Sequence, residues 1–324
     1  MQLLRTPDAR FVGLPGFPFA PHYLELLSRG SRIRVHYLDE GDPAGPVVVL
    51  LHGQPSWSYL YRKMIPPLAS AGARVIAPDL VGFGRSDKPT SLADHTYRLH
   101  EDWLAASLFE HLGLRQITLF AQDWGGLLGL RLVAFHPERF RRVMIANTGL
   151  PPGGSDSNFT PGDEPRRWTT LLGTRIWQLF ARHSPVFPVG RLAQSLASES
   201  TLSAEEVAAY VAPFPGRSYT AGPRAMPGLI PTRADSAEGQ RNRLAWAQLG
   251  TFARPFRTAF SEEDPTTRMM PNLDTHFQKH VPGARGQRHV RIAGAGHFLQ
   301  EDKGELVAEE LLKFIAETEP IPRP

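Results

Sequence analysis

Three side chains, each placed just after an apolar run, could do chemistry together: Asp123, Asp264 and His297. Asp123 stands in Ala121-Gln122-Asp123-Trp124-Gly125-Gly126. The run Gln116-Ile117-Thr118-Leu119-Phe120 before it reads as a buried strand, and Leu127, Leu128, Leu130, Leu132 and Val133 after it continue into a helix that stops near His136-Pro137. A strand, a tight turn and a helix around one reactive side chain form a nucleophile elbow. The usual form, Gly-x-Ser-x-Gly, needs small residues two before and two after the nucleophile, and Ala121 and Gly125 occupy those places. Aspartate instead of serine changes the chemistry, because an ionised carboxylate can displace a leaving group at carbon and form an ester that water later cleaves. The helix beyond it directs free N–H groups and a positive dipole end at the carboxylate, which favours the ionised form. An aspartate before a helix is also an ordinary N-cap, so the decision rests on its partners.

Asp264 lies in Phe260-Ser261-Glu262-Glu263-Asp264-Pro265 and His297 in Ala293-Gly294-Ala295-Gly296-His297-Phe298. Ligands of an open parallel sheet bind beyond the carboxyl ends of its strands, where residues following different strands converge. A histidine there activates water against the ester, and an acid takes its second ring N–H and steadies the imidazolium. Spacing alone leaves Glu262 and Glu263 as rivals to Asp264. The backbone N–H groups of Trp124 and Gln54 are the expected donors to the oxyanion. His276 and His280, four apart, could bind metal on a helix, but no third ligand is evident nearby and they read as surface. Gly82-Phe83-Gly84-Arg85-Ser86-Asp87 starts like a dinucleotide fingerprint, lacks its last glycine, and reads as a shaped loop at the rim of the site.

The elements that must position these residues alternate as in a doubly wound α/β sheet. An antiparallel pair is expected at 23–27 and 33–38. A fully covered strand follows at 46–51 and exits at His52-Gly53-Gln54-Pro55. A helix at 58–71, a strand at 74–77, a helix at 98–112, the strand into Asp123 and another at 143–146 continue the series. From 151 to 228 the rhythm breaks into helical pattern punctuated by prolines, which reads as an inserted cap. A helix near 239–249, strands at 255–260 and 289–293, and an amphipathic helix carrying Leu306, Val307, Leu311, Leu312, Phe314 and Ile315 return to the sheet. The core is therefore expected at 1–150 and 229–324. The order nucleophile, acid, histidine is that of the α/β-hydrolase fold, with a mostly parallel central sheet flanked by helices.

Composition narrows the field. With 324 residues the chain can bury a large core, and its formal net charge of +4 is spread, the densest cluster being Arg139-Phe140-Arg141-Arg142, so no nucleic-acid site is expected. The absence of cysteine excludes disulfides, thiolate metal sites and cysteine catalysis. No run approaches a membrane span, and residues 1–10 lack the basic start and apolar stretch of a signal peptide, so a cytoplasmic protein without a membrane partner is the expectation.

Several stretches together resemble the haloalkane dehalogenases, in the subfamily whose acid follows the later strand. They are His52-Gly53-Gln54-Pro55-Ser56-Trp57 through Met64-Ile65-Pro66, Ala77-Pro78-Asp79-Leu80 through Lys88-Pro89, Gln122-Asp123-Trp124-Gly125, Ala212-Pro213-Phe214-Pro215 and Gly296-His297-Phe298-Leu299-Gln300-Glu301-Asp302. The resemblance covers nearly the whole chain. It implies a halide held by two N–H donors, the indole of Trp124 and that of a cap tryptophan whose setting Trp177 resembles. An indole donates without accepting, which suits an anion. Trp103, Trp168 and Trp246 read as packing. It also implies Asp264 as the acid, because Asn147 stands where another subfamily places a glutamate. One departure is Gln54, where relatives often have Glu or Asn; it is expected to supply a backbone oxyanion donor and a side-chain contact to halide.

The resulting expectation is hydrolytic dehalogenation of haloalkanes to alcohol, halide and a proton, through an aspartyl ester on Asp123. No metal or organic cofactor is implied; the partners are a small halogenated alkane, the halide product and water, and a monomer is expected. An epoxide hydrolase is the alternative, sharing the Asp elbow but needing phenol donors, for which Tyr210 and Tyr219 are the candidates. A silent binding protein is a third reading, against which the triad argues.

Overall fold

A computed structural model describes residues 1–153, 166–266 and 272–319, except for the side chains of 166–171. An eight-stranded sheet organises the fold. Its strands are β1 (His22–Ser28), β2 (Ser31–Gly41), β3 (Val47–Leu51), β4 (Arg74–Pro78), β5 (Ile117–Gln122), β6 (Phe140–Ala146), β7 (Phe256–Ser261) and β8 (Val290–Ile292). They lie in the order β8-β7-β6-β5-β3-β4-β2-β1. The six from β8 to β4 are parallel, and β2 and β1 are antiparallel additions at one edge. Every residue of β5 and β7 is buried. Side chains alternate between faces along a strand, so both faces of the sheet centre are covered, and the two runs are mainly apolar, with Thr118, Gln122, Arg257, Thr258 and Ser261 as buried polar members.

The helices are α1 (Ile65–Ser70), α2 (Tyr97–Ala105), α3 (Asp123–Phe135), α4 (Arg166–His183), α5 (Val189–Leu196), α6 (Ala204–Val211), α7 (Ala221–Leu229), α8 (Ala237–Leu249), α9 (Leu273–His280) and α10 (Leu299–Glu317). Helices α4 to α7 lie in sequence between β6 and α8; most of the Gly- and Pro-rich stretch 151–165 is outside the described residues. Helix α6 begins with a capping box, Ser203 with Glu206.

Two expected helices differ in form. The stretch 58–71 divides into a 3-10 turn at Ser58–Tyr61 and a separate α1. Pro66 and Pro67 are tolerated only in a helix's first turn, so α1 starts at Ile65, while the Asp79 carboxylate takes the Ser58 N–H upstream at 2.8 Å. The stretch 98–112 is α-helical to Ala105 and then π-helical over Ala106–His111, where Ser107 Oγ bonds back to Trp103 O and the backbone N–H of Leu112 reaches Ser107 O.

Several contacts fasten α6 and the residues just after it to the elements around the sheet. Trp57 Nε1 donates to Ala209 O at 3.1 Å, Thr6 Oγ1 to Pro213 O at 2.7 Å and Arg10 Nε to Ala212 O at 2.7 Å. Arg62 pairs with Glu206 of α6 and with Glu301 of α10, and Tyr210 OH donates to the same Glu301 carboxylate at 2.5 Å. Arg62, Tyr210 and Glu301 are all buried, so their charges and hydroxyl depend on one another.

Candidate active site

Asp123 is the first residue of α3 and holds a left-handed φ of +51° at the end of β5. Such a backbone is strained for a non-glycine residue and persists where the surroundings over-determine it. They do so here: Thr148 Oγ1 donates to Asp123 O at 2.8 Å, and the Asp123 N–H donates to Asn147 O at 3.3 Å. The turn leaves no space at Gly125, where a Cβ would lie 2.1 Å from Leu51 O, nor at Gly53, where it would lie 2.1 Å from Asp123 Oδ1. The small-residue requirement at 125 is thus steric contact with the neighbouring strand's exit.

The carboxylate is met by two groups from other parts of the sheet. The backbone N–H of Gln54 donates to Asp123 Oδ1 at 2.7 Å, and His297 Nε2 lies 3.4 Å from Oδ2. His297 Nδ1 is 3.0 Å from Asp264 Oδ1, which also accepts the N–H of Thr266 at 2.9 Å, while the Thr266 hydroxyl bonds to Oδ2. Burial alone would raise the Asp264 carboxyl, but His297 beside it and Thr266 hold it down to about 2. Burial would likewise lower His297, but Asp264 and Asp123 push it up to about 10. The structure therefore brings together Asp123, His297, Asp264 and the Gln54 N–H. It selects Asp264 over Glu262 and Glu263 as the neighbour of His297. Asn147, at the end of β6, accepts Ser261 N–H on Oδ1 and donates from Nδ2 to Ser261 Oγ, Gly296 O and His297 O, so it braces the histidine loop.

The exit of β3 is fixed by a buried network that sequence reading left unassigned. Asp79 accepts His36 Nδ1 at 2.7 Å and the N–H groups of Ser58 and Arg85. His52 Nε2 accepts Leu80 N–H, so its proton is on Nδ1 and goes to Gly53 O. Those contacts set the backbone that presents the Gln54 N–H, and they shape the loop 79–88. The Gln54 side chain turns elsewhere: its Nε2 donates to Pro223 O of α7 at 3.1 Å. One amide hydrogen thus ties the loop to the insertion, and only the second remains for an anion.

Indole donors divide into two sets. Trp57, Trp103 and Trp246 donate to Ala209 O, Ser28 Oγ and Leu150 O. Among the described residues, the Nε1–H groups of Trp124 and Trp177 donate to no protein acceptor. Trp124 is 2 % exposed, with its ring edge against Tyr97 at 5.1 Å, and Arg131 lies 3.4 Å over the Tyr97 ring. Trp177 is half-buried, stacked on Phe180 and tilted against Phe187; its described ring contacts are with these residues of the insertion and do not include Trp124. The side chain of Trp168 is outside the described residues. His276 is half-buried, with its ring 4.8 Å from that of Trp246, and is a packing residue more than a surface one. Tyr210, a phenol donor of the epoxide alternative, directs its hydroxyl into the Glu301 cluster.

Residues 46–304 match the family model of the alpha/beta hydrolase fold. The chain is 50% identical over 316 residues to a haloalkane dehalogenase of Psychrobacter cryohalolentis, covering 97% of this chain and 98% of that one. The chain belongs to the haloalkane dehalogenase family. A dehalogenase of Mycobacterium marinum is 47% identical across 97% of this chain and all of its own. The tetrameric haloalkane dehalogenase DpaA from Paraglaciecola agarilytica NO2 superposes with a TM-score of 0.84 at 34% identity, over 97% of this chain and 98% of that one. This dehalogenase is thus a hydrolase acting on carbon–halide bonds. Among its described residues no helix is long and apolar enough to cross a membrane.

Proposed function

We propose that this dehalogenase works through a covalent alkyl ester on Asp123. The observation that carries the reading is the carboxylate's position, one oxygen on the Gln54 N–H and the other facing His297. A carboxylate oxygen attacks the halogen-bearing carbon as the halide departs with its bonding pair. The indole N–H groups of Trp124 and Trp177 receive that halide; that neither meets an acceptor among the described residues supports the role, and an N–H that only donates suits a developing anion.

Hydrolysis follows. Water attacks the ester carbon and gives a proton to His297 Nε2, while Asp264 steadies the charged ring through Nδ1. The N–H groups of Gln54 and Trp124 hold the oxyanion. Collapse releases alcohol and restores Asp123, with halide and one proton as the other products. The sequence uses no metal or organic cofactor. Esterification also times the base, because it removes the Asp123 charge, one of the two negative charges that favour the protonated ring.

Residues 151–228 act as the cap that closes over this site, with 1–150 and 229–324 as the hydrolase core, and the Gln54 to Pro223 contact couples the oxyanion loop to the cap. The reading keeps the protein monomeric and cytoplasmic; the tetrameric relative makes light scattering in solution the check on the first.

Halide release from a panel of bromo- and chloroalkanes, compared between parent and Asp123→Ala, tests the activity. Mass spectrometry of His297→Gln after exposure to a bromoalkane tests the ester, which should remain on Asp123. Folded parent protein that releases no halide from any panel member would overturn the reading.

A further inference from the structure

Gln122, the last residue of β5, is fully buried beside the proposed base. Its Nε2 lies 3.1 Å from the main-chain oxygen of His297 and 3.0 Å from His297 Nε2. A carbonyl oxygen only accepts, so the amide nitrogen must face it, and this settles which way the amide points. Asn147 donates to the same oxygen at 3.0 Å, so amides from two adjacent strands clamp the backbone of one histidine. The Gln122 Oε1 is buried without a protein partner among the described residues, so the only described contacts of this side-chain amide are with His297.

The second amide hydrogen faces His297 Nε2, and an N–H can donate there only when that nitrogen carries a lone pair. A protonated ring would set donor against donor. Among the described residues the charged groups facing His297 are Asp123 on α3 and Asp264 beyond β7, and both favour the protonated ring. Gln122 is the neighbour that favours the opposite state. Its influence grows once Asp123 is an uncharged ester, the stage at which a neutral ring is required.

We propose that Gln122 is a positioning residue for the hydrolytic half-reaction: anchored on the His297 main-chain oxygen, its amide favours the neutral ring with the proton on Nδ1 and Nε2 free to act as base. The hydrolytic water then takes the lone pair while the amide stays on the main-chain oxygen. The inference rests on the reading of His297 as the base of ester hydrolysis.

Rapid-quench kinetics with 1-bromobutane between pH 5 and 10 separate bromide release, which reports ester formation, from butanol release, which reports hydrolysis. In Gln122→Leu the bromide burst should persist while butanol release falls by about ten-fold at neutral pH, with its acid limb moved up by about one pH unit. Raising the pH should restore the rate. Gln122→Glu, which adds a negative charge, should move the limb further in the same direction. A folded Gln122→Leu with an unmoved acid limb would overturn the proposal, as would equal losses in both phases at every pH.

A measurement without Gln122 variants covers the case in which they do not fold. In Asp123→Ala protein with nitrogen-15-labelled histidine, where the charge of Asp123 is removed as in the ester and no new donor is added, His297 should show an unprotonated, hydrogen-bonded Nε2 at neutral pH; an imidazolium signal overturns the inference. If parent protein releases no bromide, the reading beneath fails, and the ring signal still decides the amide contact.

Discussion

Asp264 Oδ1 and His297 Nδ1 lie 3.0 Å apart, joining the turn after β7 to the loop after β8. With Thr266 on the same carboxylate, the contact orients the ring so that Nε2 faces Asp123. Asp264→Asn should keep the bromide burst and stall hydrolysis, with turnover falling by roughly 10³–10⁴ as for a mis-oriented triad base. Quenched-flow amplitudes check this; a variant that forms ester slowly but hydrolyses it normally would contradict the assignment.

The same pair predicts a pH dependence of stability. His297 is raised from 6.5 to about 10 in the fold, so the stability it confers is complete below about pH 6.5 and is lost as pH rises toward 10. Asp264 is depressed to about 2, so its contribution is complete above 3.8 and is lost as pH falls through 2. Melting temperatures of parent and His297→Gln should converge between pH 6.5 and 10. Curves that stay parallel across that window would refute the linkage.

For halide binding, Trp124→Phe and Trp177→Phe should each lose about 10²–10³ in turnover, the usual effect of removing one donor to a developing charge. Halide titrations followed by tryptophan fluorescence should show weakened binding in both. Tyr97→Leu, which removes the ring between Arg131 and Trp124, should weaken halide binding less than Trp124→Phe does. Activity of Trp177→Phe within a few-fold of parent would exclude it as a halide donor.

Gln54→Ala should keep the backbone donor and lose only the hydrogen bond to Pro223, so a several-fold effect is expected, in line with about 0.5–1.5 kcal/mol for one such bond. Steady-state kinetics decide this: a loss of about a thousand-fold would show that the side chain touches the reacting groups.

Buried charge at the join between α10 and the insertion gives a stability prediction. Glu301→Leu takes one of two carboxylates from Arg62, removes the carboxylate partner of Lys63 and strands the Tyr210 hydroxyl, and it should destabilise the protein by about 3–5 kcal/mol. Thermal inactivation midpoints provide the comparison, with the exposed pair Arg233 and Asp235 as a control in which Asp235→Ala changes little.

Much of this arrangement is legible in the sequence. The strand 47–51 is legible as an unbroken apolar run and the other parallel strands as shorter, largely apolar ones, while Asp123, Asp264 and His297 stand out as polar residues just past strand ends, where ligands of an open sheet gather. Less legible were features that depend on side chains meeting across the fold. The division of 58–71 follows from Asp79 reaching the Ser58 N–H, and the engagement of the Gln54 side chain with Pro223 depends on where α7 docks. Gln122 offered one local signal, an amide at the last position of a buried strand, but its partner lies 175 residues away. His276 looked solvent-facing because its spacing to His280 is visible in the sequence and its contact with Trp246 is not.

The proposed nucleophile Asp123 precedes α4 to α7 in the chain, whereas the proposed acid and base, Asp264 and His297, follow them, and Gln122 and His297 are 175 positions apart. At roughly 5–20 residues per second, a ribosome needs on the order of ten to thirty seconds to make that stretch. On the proposed mechanism, the pair that would direct water onto the ester is therefore the last part of the site to be synthesised, and a chain cut short before its final parallel strand lacks that half of the reaction.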